Sequence, residues 1–243
     1  MHIDDYAEIL CSTIEWIRTE QRDRIFAASE IVKDVIKKDG LIFIFGCGHS
    51  GILSEETFYR AGGLACVRPV FYEPLMLHES ASESSRLEKQ ADYFEKAFSG
   101  LGFTDADALI CMSSSGVNAV PVQFADAVRR KGVPVIGISS DAYLSQEPHN
   151  PLGKHLQEVC DVCIDNHVPH GDACLSPKGL PVKMTPVSSV AGAFIVNSIL
   201  VEATQKALDE GLEVPVYMSG NIPGGAEYNR ALIKRYKARI PNL

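Results

Sequence analysis

Long apolar runs are missing from this sequence. None approaches the roughly 18–20 residues needed to cross a bilayer, although 46% of the 243 residues are hydrophobic. Positive charge is also scarce: Lys and Arg number 23 against 31 Asp and Glu, for a formal net charge of −8. No Lys/Arg-rich block occurs, which argues against nucleic acid as a partner. The N-terminal MHIDDYAEIL carries Asp4, Asp5 and Glu8 where a secretory signal carries positive charge. A soluble protein that is neither exported nor membrane-bound is expected. The seven cysteines are an odd number, and Cys47, Cys66, Cys111 and Cys163 sit in or beside apolar runs, where a reduced thiol behaves as a small hydrophobe. That favours the cytoplasm. Cys160 and Cys163 have C-x-x-C spacing, but VCDVCID reads as a strand, which sends the two side chains to opposite faces. No second pair with metal spacing accompanies them, so they read as a buried structural pair.

What is present is alternation. Residues 4–38 carry apolar positions near a helical period and no proline, so they read as one long helix, and 1–38 as an N-terminal helical extension. LIFIFG is a continuous apolar strand, GILSEETFYRAGG a helix closed by Gly62 and Gly63, and ACVRPVFYE a strand that Pro69 pushes toward a sheet edge. From Pro74 to Gly102 the chain is less regular, with serine-rich SASESS before a helical EKQADYFEKAF. ALICMSSSG then repeats the strand-then-turn pattern, AVPVQFADAVRRKG reads as a helix, and VPVIGISS and VCDVCIDN as strands. Such an order implies a three-layer α/β/α sandwich with a five-stranded parallel sheet, flavodoxin-like order 2-1-3-4-5. A loop-rich stretch, a mostly apolar helix from Ser188 and a tail with a basic final helix (206–243) complete a single domain spanning 1–243. The apolar helix suits burial in the fold or at a subunit interface.

FGCGHSG, residues 45–51, has two readings. Gly46, Gly48 and Gly51 have the spacing of a dinucleotide turn, and Glu73 ends the next strand where a ribose-binding acid belongs. The competing reading pairs Ser50 with a second turn, SSSG at 113–116, which follows its own strand in the same way. In a sheet of order 2-1-3-4-5 both turns open into one crevice at the topological switch point. There the hydroxyls of Ser50, Ser113 and Ser115 and backbone amides at two helix N-termini converge on a phosphate monoester.

These turns resemble those of the sugar isomerase (SIS) domain. GCGHSG resembles the family's G-x-G-x-S turn, and MSSSGVN its S-x-S-G-x-[TSN] phosphate loop; the resemblance covers roughly residues 35–205. GHSGILSEETFYRAGG is similar to the first turn and helix of arabinose 5-phosphate isomerases. The resemblance implies a phosphorylated sugar as ligand, held by the turn of Gly48, His49 and Ser50 and by Ser113, Ser115 and Asn118 with the amides of Ser114 and Gly116. It also implies a homodimer or homotetramer with active sites near subunit interfaces, and no organic cofactor. Phosphoheptose isomerase-like activity is the leading expectation, with a non-catalytic phosphosugar sensor, an amino-sugar-phosphate lyase or etherase, and an NAD-dependent oxidoreductase as alternatives.

Aldose–ketose isomerisation passes through an enediol and needs a base at C1–C2 and a group that opens the ring, usually a carboxylate and a histidine. Carboxylate candidates are Glu55 and Glu56, one turn beyond Ser50, and Glu202, set in an otherwise apolar helix where an unpaired carboxylate is costly. His170, with Asp172 nearby, is the first choice for ring opening. A zinc site from His167, His170 and Asp172 is the alternative reading of DNHVPHGD, and His78 reads as part of a surface loop. Several SIS isomerases carry a catalytic glutamate ten residues after the loop serine; that position here is Arg60. Their mechanism therefore does not transfer directly.

Overall fold

The computed structural model describes residues 1–98 and 100–243. Five parallel strands, β1 (Ile42–Gly46), β2 (Val67–Pro69), β3 (Ala108–Met112), β4 (Val135–Ser139) and β5 (Val162–Asp165), pair in the order β2-β1-β3-β4-β5. Every residue of β1, β3 and β4 is buried, as expected for strands covered on both faces. Pro69, which cannot donate to a ladder, lies on the edge strand.

Helices α1 (His2–Glu20), α2 (Arg22–Lys37), α3 (Ile52–Thr57) and α7 (Ser188–Asp209) form one layer, with α7 packed on α1, α2 and α3. On the other face α5 (Phe94–Phe98) packs on α6 (Ala119–Arg130), which covers β3 and β4; α4 (Leu77–Leu87) lies over the turn after β1. The last helix, α8, spans Gly225–Tyr236. No helix among the described residues is long and apolar enough to cross a membrane.

Four departures from the sequence reading have local causes. The first helix is two, broken at Gln21, a buried residue whose Oε1 accepts from the Asp165 amide at 3.1 Å and so finishes β5. The helix expected up to Gly62 stops at Thr57 because residues 62–65 instead bond the C-terminal segment, Gly62 N to Tyr217 O at 2.8 Å and Ala65 N to Pro215 O at 2.7 Å. The serine-rich stretch is itself helix α4, and 88–98 contributes only a 3-10 turn and the short α5. The loop-rich stretch holds an antiparallel hairpin, β6 (Ala173–Leu175) with β7 (Met184–Pro186).

Cys160 and Cys163 are both buried as expected, but the expectation that they point to opposite faces is overturned. Cys160 precedes β5 rather than lying in it, and both sulfurs come to rest over Gly137 of β4. A Cβ at Gly137 would meet Cys160 Sγ at 2.6 Å and Cys163 Sγ at 2.9 Å.

The turn after β1 closes so tightly that a Cβ at Gly46 would stand 2.6 Å from the Ser50 carbonyl carbon. Contact with backbone cannot be relieved by a rotamer change. Gly46→Ala is expected to cost about 1–3 kcal/mol and to displace Ser50; urea unfolding checks the first and the crystal structure of the variant the second.

Candidate functional site

The chain after β1 leaves through a 3-10 turn, Gly48–Gly51, into α3 on one face; the chain after β3 leaves through Ser113–Asn118 into α6 on the other. Between them opens a crevice of about 430 Å3. Gly48, His49, Ser50, Ser113, Ser114, Ser115 and Asn118 all line it, so both serine turns do face one space.

Within the second turn some groups are already engaged. Ser113 is buried, and its Oγ accepts from the Gly116 amide at 3.2 Å. That amide is therefore spoken for, contrary to its expected place against a ligand, while the Ser113 hydroxyl proton stays free to donate. Ser114 Oγ accepts from the Asn166 amide group at 3.4 Å, and Ser114 O accepts from Ser140 N at 2.9 Å, which fastens the turn to the ends of β4 and β5. Ser115 is half-buried.

Among the described residues no Lys or Arg lines the crevice. An anion there relies on hydroxyls and on helix N-termini, whose unpaired N–H groups carry partial positive charge. Three helices start at its edge, α3 through its 3-10 turn, α6 and α7. The start of α7 is occupied: Asp172 Oδ1 accepts from Val187 N and Ser188 N, both at 2.9 Å, and Oδ2 accepts from Ser188 Oγ at 2.6 Å.

Two carboxylates line the crevice: Asp172, engaged on the start of α7, and Glu88, which follows α4. The Glu88 backbone carbonyl accepts from Val120 N at 2.9 Å, in the first turn of α6, and its Oε1 accepts from Asn118 Nδ2 at 2.9 Å. Burial raises its pKa above the ordinary glutamate value, a shift that Lys89 nearby opposes. Burial also pushes the neighbouring Cys47 thiol well up, reinforced by the Glu88 charge.

The four expected acid–base candidates lie elsewhere. Helix α3 buries Leu53, Ser54 and Thr57, which leaves Glu55 and Glu56 exposed on its other side, with Glu56 ion-paired to Arg60; neither lines the crevice. Glu202 is half-buried on α7, about 21 Å along the helix axis from Ser188 at the crevice edge. His170 is exposed and stacks on Tyr143, a crevice residue, with ring centroids 4.6 Å apart. The zinc alternative is not assembled, because His167 stacks on Trp16 at 3.8 Å while Asp172 caps α7. Among the described residues no group of three His, Cys, Asp or Glu has metal-binding placement. His78 is exposed on α4.

Glu88, Tyr143, Asn166 and Ser188 escape the sequence reading. A signal existed for the first: Ala81, Ser84, Ser85 and Glu88 fall on one helical face, and all four line the crevice together with Leu77, which lies beyond the non-helical Ser80. Their small and polar side chains leave no hydrophobic period to detect.

A parallel sheet of this order with two serine turns at its switch point defines a SIS-type fold. The chain matches the SIS domain over residues 5–140 and belongs to that family. It is 41% identical to a UPF0309 protein of Listeria innocua, covering 99% of this chain and 98% of that one, and 42% identical to a UPF0309 protein of Halalkalibacterium halodurans, covering 99% and 97%. Among solved structures it is similar to phosphoheptose isomerase GmhA from Neisseria gonorrhoeae, with a TM-score of 0.51 at 14% identity over 84% of this chain and 96% of that one. The NanR protein of Vibrio vulnificus, complexed with ManNAc-6P, aligns with a TM-score of 0.50 at 15% identity over 100% of this chain and 70% of that one. At such identities the likeness is one of fold.

Loss of the cap on α7 tests the arrangement at the crevice edge. Asp172→Ala is expected to destabilise the protein by about 1–2 kcal/mol, seen in calorimetry as a Tm lower by roughly 2–8 °C.

Proposed function

We propose that this protein binds a phosphorylated sugar with its phosphate between the GHSG and SSSG turns and interconverts the aldose and ketose forms. The observation that carries this reading is the convergence of Ser50, Ser113, Ser114, Ser115 and Asn118 on one crevice that also holds a carboxylate with a raised pKa. Membership of the SIS family supports the ligand class. It weighs against a dinucleotide, as does Glu73, which is exposed in a 3-10 turn after β2 instead of ending a long second strand.

In this reading Glu88 takes the place held for Glu55, Glu56 or Glu202. Burial brings its pKa toward the working range, where a carboxyl group can both accept a proton from one carbon and return it to the next. Asn118 orients the carboxylate, and His170, stacked on Tyr143 beside the crevice, serves ring opening. A homodimer or homotetramer remains part of the proposal. It is supported by the exposed apolar side of α7, where Val201 is 61% and Leu208 51% accessible.

A thermal-shift screen of phosphosugars, with 2-acetamido sugar phosphates included because NanR was solved with one, is expected to identify a ligand. The double variant Ser113→Ala/Ser115→Ala is expected to lose the phosphate-dependent shift at least tenfold in apparent affinity, since each lost hydroxyl contact to a charged group contributes about 1.5–3 kcal/mol. Retained affinity overturns the assigned phosphate site.

Glu88→Gln keeps an oxygen for Asn118 but cannot transfer protons. Ligand binding should persist while kcat falls about 10²–10⁴-fold, and NMR in deuterium oxide should show exchange at C2 with the wild type only. Binding by the wild type without C2 exchange assigns the crevice to sensing instead of catalysis. Stability should follow the same carboxyl. A raised folded-state pKa means that the native state holds its proton more tightly, so wild-type stability falls relative to Glu88→Gln as pH rises through that pKa. The variant should melt higher than wild type at pH 7, and the gap should narrow toward pH 4.

A further inference from the structure

Three cysteines gather on the sheet around one missing side chain. Cys111, Gly137 and Cys163 are register partners across β3, β4 and β5, so they share one row. Cys160 reaches over from the preceding turn into the space a side chain at Gly137 would take, and meets Cys163 there. Cys111 is turned away to the Pro121 carbonyl, to which its thiol donates at 3.5 Å. Cys160 and Cys163 instead both line a pocket of about 340 Å3 that opens between Arg24, Asp141, Gln157 and Asp165, and each keeps a small accessible area, 8% and 7%. This pocket shares no lining residue with the phosphosugar crevice.

The two thiols are not equivalent. The Cys163 thiol is held below its ordinary pKa, first by the adjoining Cys160 thiol and then by Ser139 Oγ, 3.5 Å away, and the Arg24 charge, against the opposing pull of burial and the Asp141 charge. The same contact and burial push Cys160 well up. The thiolate is the reactive form of cysteine, so such a pair has an attacking and a resolving member.

We propose that Cys160 and Cys163 form a redox-active dithiol that a peroxide, entering through this pocket, converts to an intramolecular disulfide. The Cys163 thiolate attacks one peroxide oxygen, the O–O bond breaks, and Cys163 becomes a sulfenic acid as hydroxide leaves. Cys160, losing its proton to that hydroxide, then attacks the Cys163 sulfur and expels a second hydroxide, which is protonated to water. In sum two thiols and one hydrogen peroxide give one disulfide and two waters, and a dithiol reductant reverses the change. Both sulfurs already lie over Gly137, 2.6 and 2.9 Å from where its Cβ would stand, so the missing side chain leaves room for them side by side.

Reduced protein treated with one equivalent of hydrogen peroxide, then unfolded and alkylated, is expected to take up two fewer alkyl groups than untreated protein. Peptide mass spectrometry should locate the cross-link between Cys160 and Cys163, and dithiothreitol should restore both sites. The pair should react on the order of tenfold faster than exposed Cys11, as expected for an activated thiolate against an ordinary thiol. In Cys160→Ser the first step is isolated, so Cys163 should gain one oxygen; in Cys163→Ser, Cys160 should stay unmodified. Oxidation of Cys11 or Cys174 while Cys160 and Cys163 remain fully alkylated in the wild type overturns the proposal. So does a cross-link joining any other pair. The wild-type measurements decide the matter even where a serine variant fails to fold.

Discussion

The departure of the chain to opposite faces after β1 and after β3 is the constraint on which the site depends. Neighbouring parallel strands whose following helices sit on the same side leave no gap between their ends. Here α3 goes to the α7 layer and α6 to the other, so the carboxyl ends of β1 and β3 stand apart with two turns facing each other. Everything chemically notable in the crevice hangs from those turns or from what packs on them. Helix α4 is drawn over the opening because Glu88 satisfies the start of α6 twice, through its carbonyl to Val120 N and its carboxylate to Asn118. One residue thus serves as the brace of the crevice wall and as a half-buried carboxyl in it.

Electrostatics in this crevice follow from that construction. With no Lys or Arg on its walls among the described residues, an anion bound there in the proposed reading would be held by oriented dipoles, which act at short range and favour a compact group such as a phosphate. Asp172 already occupies the α7 terminus, and a second anion beside it would be repelled. That leaves the starts of α3 and α6, the two that carry the serines. Much of the turn is held in place before any ligand arrives, since Ser113 accepts from Gly116 and Ser114 is tied to Asn166. Pre-set donors lose little on binding because their ordering has occurred during folding.

The sheet and its order were legible because buried parallel strands read as apolar runs followed by turn residues, and LIFIFG, ALICM and VPVIGISS all do so. The two serine turns and their shared crevice were legible for a related reason: each turn follows such a run at the carboxyl edge of the sheet. What escaped depended on contacts distant in sequence. Gln21 breaks the first helix to serve Asp165, 144 positions away, and the C-terminal segment around Tyr217 stops α3 by bonding residues 62–65. Glu88 escaped because its helical face is made of serine and alanine. The cysteine pair was misread for a subtler reason: alternation along a strand was assumed one turn too early, before β5 begins at Val162.

Glu88 also links the two demands on this crevice. A carboxyl group held in a poorly solvated wall is costly when ionised, and a phosphate dianion brought into the same space raises that cost further. Ligand binding in the proposed reading therefore favours the protonated form of Glu88 above what the empty crevice favours. Such a group meets its substrate as an acid or shares its proton with the ligand, while the Lys89 charge and the hydrogen bond from the Asn118 amide group favour its ionised form. In the proposed reading the bond between Asn118 and Glu88 therefore bears on both anion affinity and proton transfer, and it does so from the N-cap of α6, the helix whose start would face the anion.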